Sequence, residues 1–184
     1  SSAPAADRST IEIATRSSVE REATMLALVD AGWVTNGLLG EAMTIPAGEP
    51  NVSHDTSAPF DSVLLAGPRD TLGLAEDAPL VVHTANHHMH ELGREQRTEV
   101  QHADGSSTCL LEIPDWDFGW QGSYTLAEPV VLSPGDRIWM GCTWDNSATN
   151  QPVHDGTVRE SQDVSWGEGT TDEMCLAGFY VTGL

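Results

Sequence analysis

The sequence predicts an all-β domain built as an antiparallel sandwich. Short segments with strand character recur between turn signals such as Asp104-Gly105 and Pro134-Gly135-Asp136, a pattern typical of many short antiparallel strands. No strong helical period recurs after residue 40, which argues against a helical or mixed fold. The 184 residues are enough to bury one core. We therefore expect a single domain over residues 11–184, after a disordered or mature N-terminal tail over residues 1–10.

The first third of the chain holds three strand candidates and one short apolar run. Residues 11–15 alternate between apolar and polar side chains, as in a short strand. Residues 21–34 fit either a helix or a buried strand, because Ala, Leu, Met and Glu favour a helix but the apolar run does not exclude a strand. Residues 42–48 indicate a strand that ends in a turn, and residues 61–65 form the further apolar run.

The rest of the chain is expected to be strands joined by turns. The longest predicted strand covers residues 80–90. The segments 97–101 and 108–113 flank Asp104-Gly105, a dipeptide that favours a hairpin. Four later segments are predicted strands: 124–126, 129–132, 137–143 and 174–181. A polar loop over residues 146–156 precedes the last of them.

The charge of the chain limits its partners. The formal net charge is −20, from 28 acidic and 8 basic residues, so nucleic acid and anionic membrane surfaces are poor partners. No apolar run approaches the roughly 20 residues that cross a bilayer. We expect no nucleic-acid partner and no membrane span.

Three of the seven histidines lie within His87-His88-Met89-His90. On an extended strand alternate side chains share a face, so His88 and His90 point one way while His87 and Met89 point the other way. Two adjacent imidazoles supply part of a soft-to-borderline metal site and need a further ligand from elsewhere. The best candidate for that ligand lies in residues 171–175, Thr-Asp-Glu-Met-Cys.

The three cysteines are Cys109, Cys142 and Cys175. In a reducing compartment all three would be free thiols, whereas in an exported protein two could pair. A bridge between Cys142 and Cys175 would contribute roughly 3–4 kcal/mol on the chain-entropy model. Spacing alone leaves this bridge and three unrelated buried thiols equally open.

Residues 114–121 contain Trp116, Phe118 and Trp120, interleaved with acidic residues. Such a patch can form a platform for a sugar or an aromatic ligand. It can equally close one end of the sandwich, because large aromatics dominate core burial. Both interpretations stay open on the residues alone.

Four motifs occur along the chain in the same order as in one protein family. They are His88-Met89-His90, the tryptophan-rich residues 114–121, Asp145-Asn146-Ser147, and residues 167–174, which end in Asp-Glu-Met. They are similar to the C-terminal domain of the copper type II, ascorbate-dependent monooxygenases, which include peptidylglycine alpha-hydroxylating and dopamine beta-hydroxylating enzymes and bacterial relatives. The resemblance covers roughly residues 40–182.

The resemblance implies a fold, a reaction and a site. The fold is a jelly-roll-like sandwich of about eight or nine strands. The reaction inserts one oxygen atom into a C–H bond, with ascorbate or another reductant supplying electrons. The site is one oxygen-binding copper held by His88, His90 and Met174, which are the catalytic residues of such a domain. Two imidazoles and a thioether fit copper, and the thioether favours Cu(I) over zinc.

The resemblance also implies features around the site. Cys142 and Cys175 match a disulfide pair of the animal enzymes, which indicates a secreted or periplasmic protein. His87, His83 and Asp172 are candidates for residues that position the ligands without binding the metal.

The sequence departs from the family in two ways. The full enzymes carry a second copper on three histidines of an N-terminal domain, and about 40 residues before the resemblance are too few for it. A second copper domain or another electron donor is thus an expected partner, together with a small-molecule substrate. Asn86, Leu176 and Gly178 stand where peptide-amidating enzymes clamp a carboxylate, so peptidylglycine is not the expected substrate. The alternative function is a copper-binding or copper-handling module without oxygenase activity.

Overall fold

A computed structural model describes residues 10–184, so the predicted N-terminal tail, apart from Thr10, lies outside the described residues. The elements, in chain order, are β1 (Ala23–Leu28), α1 (Ala31–Val34), β2 (Thr44–Ile45), β3 (Val52–Pro59), α2 (Val63–Thr71), β4 (Leu80–His88), β5 (Gly93–Gln101), β6 (Ser107–Ile113), β7 (Ser123–Leu132), β8 (Arg137–Trp144), β9 (Val153–His154), β10 (Thr157–Val158), β11 (Val164–Ser165) and β12 (Leu176–Gly183).

Two four-stranded sheets make up the sandwich, and every strand pair in them is antiparallel. The first sheet has the order β1-β12-β4-β7 and the second sheet has the order β3-β8-β5-β6. When only these eight strands are counted along the chain, the orders are 1-8-3-6 and 2-7-4-5, which is the double Greek-key arrangement of a jelly roll. The prediction of an all-β antiparallel sandwich is confirmed.

The core lies between the two sheets and is built from alternate positions of their strands. Leu80, Val82 and Ala85 of β4 face Ile138 and Met140 of β8 across the core, and all five are buried. Burying an aliphatic side chain of this kind contributes about 1.5–3 kcal/mol. A shift in pairing register between Val82 and Thr84 interrupts the alternation once. The even-numbered residues Leu80 and Val82 face the core before this shift, and the odd-numbered residues face it afterwards. As a result, His87 points inward and His88 points outward.

A disulfide joins Cys142 of β8 to Cys175, the residue before β12. The bridge therefore links the two sheets at the end where Met174 lies. The predicted pairing is confirmed, and Cys109 is a free, exposed cysteine.

We expect one reactive thiol per chain when the unreduced protein is denatured and titrated with a thiol reagent. The reason is that the bridge consumes Cys142 and Cys175 and leaves Cys109 alone. A Cys109→Ser variant should give no reactive thiol. Three reactive thiols in protein from its native compartment would contradict the bridge.

The helices and the chain start depart from the sequence predictions. Residues 11–15 form no strand; Ile11 and Ile13 are 84% and 80% exposed, so within residues 10–184 their alternating pattern meets no partner surface. The ambiguous residues 21–34 divide into β1 and α1, because the Asp30 carboxylate accepts the Gly32 N–H at 2.7 Å and starts a helix there.

The apolar run at residues 61–65 leads into α2, a helix that the sequence did not predict, because no strong helical period is visible after residue 40. The longest predicted strand also ends earlier than expected, at His88. None of the helices within residues 10–184 has the length and apolar character needed to cross a membrane.

Candidate metal centre

His88 and His90 lie side by side although β4 ends at His88. Their ring centroids are 5.1 Å apart, with the ring planes at 82°. Met89 and His90 follow the strand and precede the turn at Glu91-Leu92. Both are buried, so the predicted alternation of buried and exposed side chains does not continue to His90. The short distance between the two rings nevertheless shows that the structure brings the two predicted histidines together at one end of the first sheet.

Hydrogen bonds favour the same tautomer on both rings. The Nδ1 of His88 lies 2.6 Å from the Oε1 of Gln121, and the Nδ1 of His90 lies 3.0 Å from the carbonyl oxygen of Asp172. Gln121 has only one orientation here, because its Nε2 donates to the Phe118 carbonyl at 2.9 Å. Since both partners are acceptors, each Nδ1 carries the proton and donates it. In the neutral ring with this tautomer, Nε2 carries the lone pair with which imidazole binds a metal.

The Glu173 carboxylate anchors the turn that follows the histidine pair. One oxygen accepts the Leu92 N–H at 2.7 Å, and the other accepts the His90 N–H and the Trp144 Nε1–H, both at 2.9 Å. Burial raises the pKa of Glu173 to about 7, against the lowering effect of these donors. The contacts tie the histidine turn to the segment that carries Met174.

Met174 lies on the segment that leads into β12. Burial alternates along it, with Glu173 and Cys175 buried and Met174 and Leu176 partly exposed. Leu176 is the direct partner of His88 in the antiparallel register, so Met174 projects from the same outer face as His88. Among residues 10–184, no three His, Cys, Asp or Glu side chains are grouped so as to hold a metal. Met174 offers a donor of another type, a thioether.

The other three candidates make different contacts. His87 is buried on the core side, with its Nε2 3.1 Å from the Thr98 hydroxyl. His83 bonds the Thr182 hydroxyl at 2.9 Å, five positions before His88, which is about 16 Å along a strand. Asp172 positions His90 through its main-chain carbonyl, whereas its carboxylate accepts the Gly169 N–H at 3.0 Å.

Burial without an acidic partner lowers the pKa of His87 to about 3. The unfolded chain, with the ordinary value near 6.5, binds the proton more strongly than the folded chain does. The stability contributed by neutral His87 is therefore complete above pH 6.5 and is lost as the pH falls from 6.5 toward 3, by on the order of 5 kcal/mol.

We expect a His87→Gln variant to gain stability relative to the wild type as the pH is lowered from 7.5 to 4. Glu173 titrates in part of this range in both proteins, so the difference between the two unfolding free energies isolates His87. Urea unfolding of the copper-free proteins at both pH values measures it. A difference that does not change with pH would show that His87 is not the acid-sensitive group.

The tryptophan-rich residues 114–121 lie beside the histidine pair. Trp116 is buried, its Nε1–H donates to the His90 carbonyl at 3.2 Å, and its ring occupies the space next to Gly93. The Phe118 ring is 5.9 Å from the His90 ring, and Trp120 is 77% exposed. The patch thus combines both interpretations, one ring packed inward and two rings at the surface.

Gln121 and Glu173 are site residues that sequence reasoning missed. The only sequence signals were their positions, Gln121 at the end of the aromatic patch and Glu173 next to Met174. Neither position indicates which groups the side chain contacts.

A sequence model of one protein family matches residues 29–182, and its description is copper type II ascorbate-dependent monooxygenase, C-terminal domain. The match includes both histidines, Met174, the aromatic patch and both bridged cysteines. No curated protein matches the chain.

Proposed function

Since the chain belongs to the copper type II, ascorbate-dependent monooxygenase family, of which it carries the C-terminal domain, we propose that it is the oxygen-binding copper domain of a monooxygenase. One copper per chain is held by His88, His90 and Met174. The observation that carries this proposal is the histidine pair itself, whose rings lie side by side and whose Nδ1 atoms both face hydrogen-bond acceptors. This arrangement leaves the Nε2 atom of each neutral ring available to a metal.

The donor set fits copper better than other common metals. Neutral imidazole suits both copper oxidation states, and a thioether favours the soft Cu(I) ion. Bound copper supplies one-electron chemistry and oxygen activation for hydroxylation of a C–H bond. The chain supplies the geometry. Gln121 and the Asp172 carbonyl hold the two imidazoles in place, and Glu173, the neighbour of Met174, holds the turn that follows His90.

The surroundings of the site favour a small-molecule substrate that is not bound by an ion pair. Phe118 and Trp120 present apolar surface next to the histidines. On the same face of the first sheet, the Asn86 side chain fills the space above Gly178, where a cationic side chain would be needed to clamp a carboxylate. A peptidylglycine substrate therefore fits poorly.

Turnover requires electrons, which we propose come from ascorbate or a similar reductant through a second copper domain or another donor. The disulfide between Cys142 and Cys175 supports a location outside the reducing cytosol, in a secreted or periplasmic setting.

Oxygen consumption tests the function. Copper-loaded protein with ascorbate, oxygen and a panel of small apolar substrates should form hydroxylated product, alone or after addition of a three-histidine copper protein. A His88→Ala, His90→Ala variant is the control. Tight copper binding with no product under any of these conditions would instead favour the alternative, a copper-binding or copper-handling module.

Met174→Ala is expected to keep most Cu(II) affinity and to weaken Cu(I) binding by about tenfold or more, because the soft sulfur contributes mainly to the soft ion. Weaker binding of the reduced form lowers the reduction potential. Titration of Cu(I) against a competing chelator measures the change. Met174→Leu, which keeps the volume and loses the sulfur, should behave in the same way. Unchanged Cu(I) affinity in both folded variants would mean that Met174 only packs.

A further inference from the structure

We propose that the outer face of the second sheet binds a neutral saccharide, with the Trp139 indole as the platform. Trp139 lies on β8, whereas His88 lies on the first sheet. The proposed site is therefore separate from the metal centre and does not rest on the presence of copper.

The Trp139 side chain is held across the surface of the sheet. Ile138 and Met140 on either side of it are buried, so alternation turns Trp139 outward. The benzene ring of its indole lies against Gly141, where a Cβ atom would be only 2.9 Å from Cζ2. Its Nε1–H donates to the Asp55 carboxylate at 3.1 Å. Because contacts at both ends fix the ring along the sheet, one ring face is left toward solvent.

Polar side chains surround this platform at positions set by the strand register. Asp55 and Arg97 flank Gly141 on the two neighbouring strands, and Ser53 and Glu95 flank Thr143. Together with Trp139 they line a shallow cavity of about 200 Å³. Pockets that enclose drug-sized ligands measure roughly 300–1,000 Å³, so this cavity suits one ring of a longer ligand that lies along the surface.

The charges around the platform favour a neutral ligand with many hydroxyl groups. Arg97 is already paired, with Glu99 at 3.1 Å and Glu112 at 2.7 Å, and Asp55 and Glu95 add further negative charge. An anionic ligand would be repelled. The carboxylates are hydrogen-bond acceptors, however, and sugar hydroxyls are donors to them.

The shape of the platform selects among neutral sugars. A β-linked glucose residue carries its hydroxyls around the edge of the ring and exposes C–H groups on both faces. One such face can cover the indole while the hydroxyls reach the surrounding carboxylates, as aromatic side chains with a flat apolar face allow. We therefore identify the ligand class as a neutral β-linked glucan.

Cellotetraose is the probe. Titration of cellotetraose into the copper-free protein should shift the indole N–H resonance of Trp139 in the NMR spectrum, with a dissociation constant in the millimolar range or tighter. This resonance is identified as the signal that is missing from the spectrum of Trp139→Tyr. Trp139→Ala should weaken binding about tenfold or more, and Trp139→Tyr should keep part of it. Glu95→Gln, a surface change, should weaken binding without altering the fold.

Trp120→Ala is the matched control, because it removes an exposed tryptophan of the loop between β6 and β7 and should bind cellotetraose like the wild type. The absence of any binding at a cellotetraose concentration on the order of 20 mM would overturn the proposal. Binding that is lost with Trp120 and kept by Trp139→Ala would overturn it too. Retention of copper by Trp139→Ala is expected in every case, so this test stands apart from that of the proposed function.

Discussion

Replacement of both His88 and His90 by alanine is expected to weaken copper binding by at least two orders of magnitude in both oxidation states. The two rings are 5.1 Å apart and each has its Nδ1 facing an acceptor, so in the proposed site both supply an Nε2 lone pair to the same metal. Loss of a residue that is hydrogen-bonded to a metal ligand already lowers metal affinity by about 10–100-fold. Loss of both imidazoles leaves only a weak neutral thioether as a ligand.

Equilibrium dialysis with Cu(II) and competition titration with Cu(I) measure this effect. The matched control is the double variant His83→Ala, His154→Ala, which removes the same number of imidazoles elsewhere and should bind one copper per chain like the wild type. Equal copper affinity of the His88, His90 variant and the wild type would place the metal at other residues.

Glu173→Ala is expected to destabilise the protein by about 3 kcal/mol or more. The change removes the acceptor of three buried donors, the N–H groups of His90 and Leu92 and the Trp144 indole, and each unpaired buried donor costs about 1–3 kcal/mol. Glu173→Gln keeps an amide oxygen as acceptor and should lose less. Urea unfolding at pH 8 should therefore give the order wild type, Gln variant, Ala variant.

A neighbouring exposed acid provides the control for this prediction. Glu168→Ala should change the unfolding free energy by less than about 0.5 kcal/mol, as is usual for exposed positions. If Glu173→Ala were as stable as Glu168→Ala, the carboxylate would not be the anchor of the histidine turn.

The fold could be predicted from the sequence where burial of one face gives a strand a clear two-residue alternation of side chains. On β4 the sequence predicted that His87 and His88 point to opposite faces, and the structure shows His87 buried and His88 partly exposed. The short run Val63-Leu64-Leu65 was not decisive, because so few apolar residues fit a strand as well as a helix; only its tertiary surroundings make it the start of α2. Ile11 and Ile13 show the converse, a strand-like pattern with no surface to pair with.

The metal-binding candidates were accessible from the sequence, but the groups that orient them were not. Histidine spacing and the Asp-Glu-Met motif identify donor types. The contact of His90 with Asp172 uses a main-chain carbonyl 82 positions away, and a carbonyl has no sequence signature. Gln121 reaches His88 across 33 positions, through a loop whose path depends on how Trp116 packs.

X-ray absorption at the copper edge of Cu(I)-loaded protein identifies the ligands of the metal. We expect one copper per chain with two imidazole nitrogens and one sulfur as ligands, and loss of the sulfur contribution in Met174→Ala. A wild-type spectrum without sulfur, or one that Met174→Ala leaves unchanged, would contradict the site formed by His88, His90 and Met174.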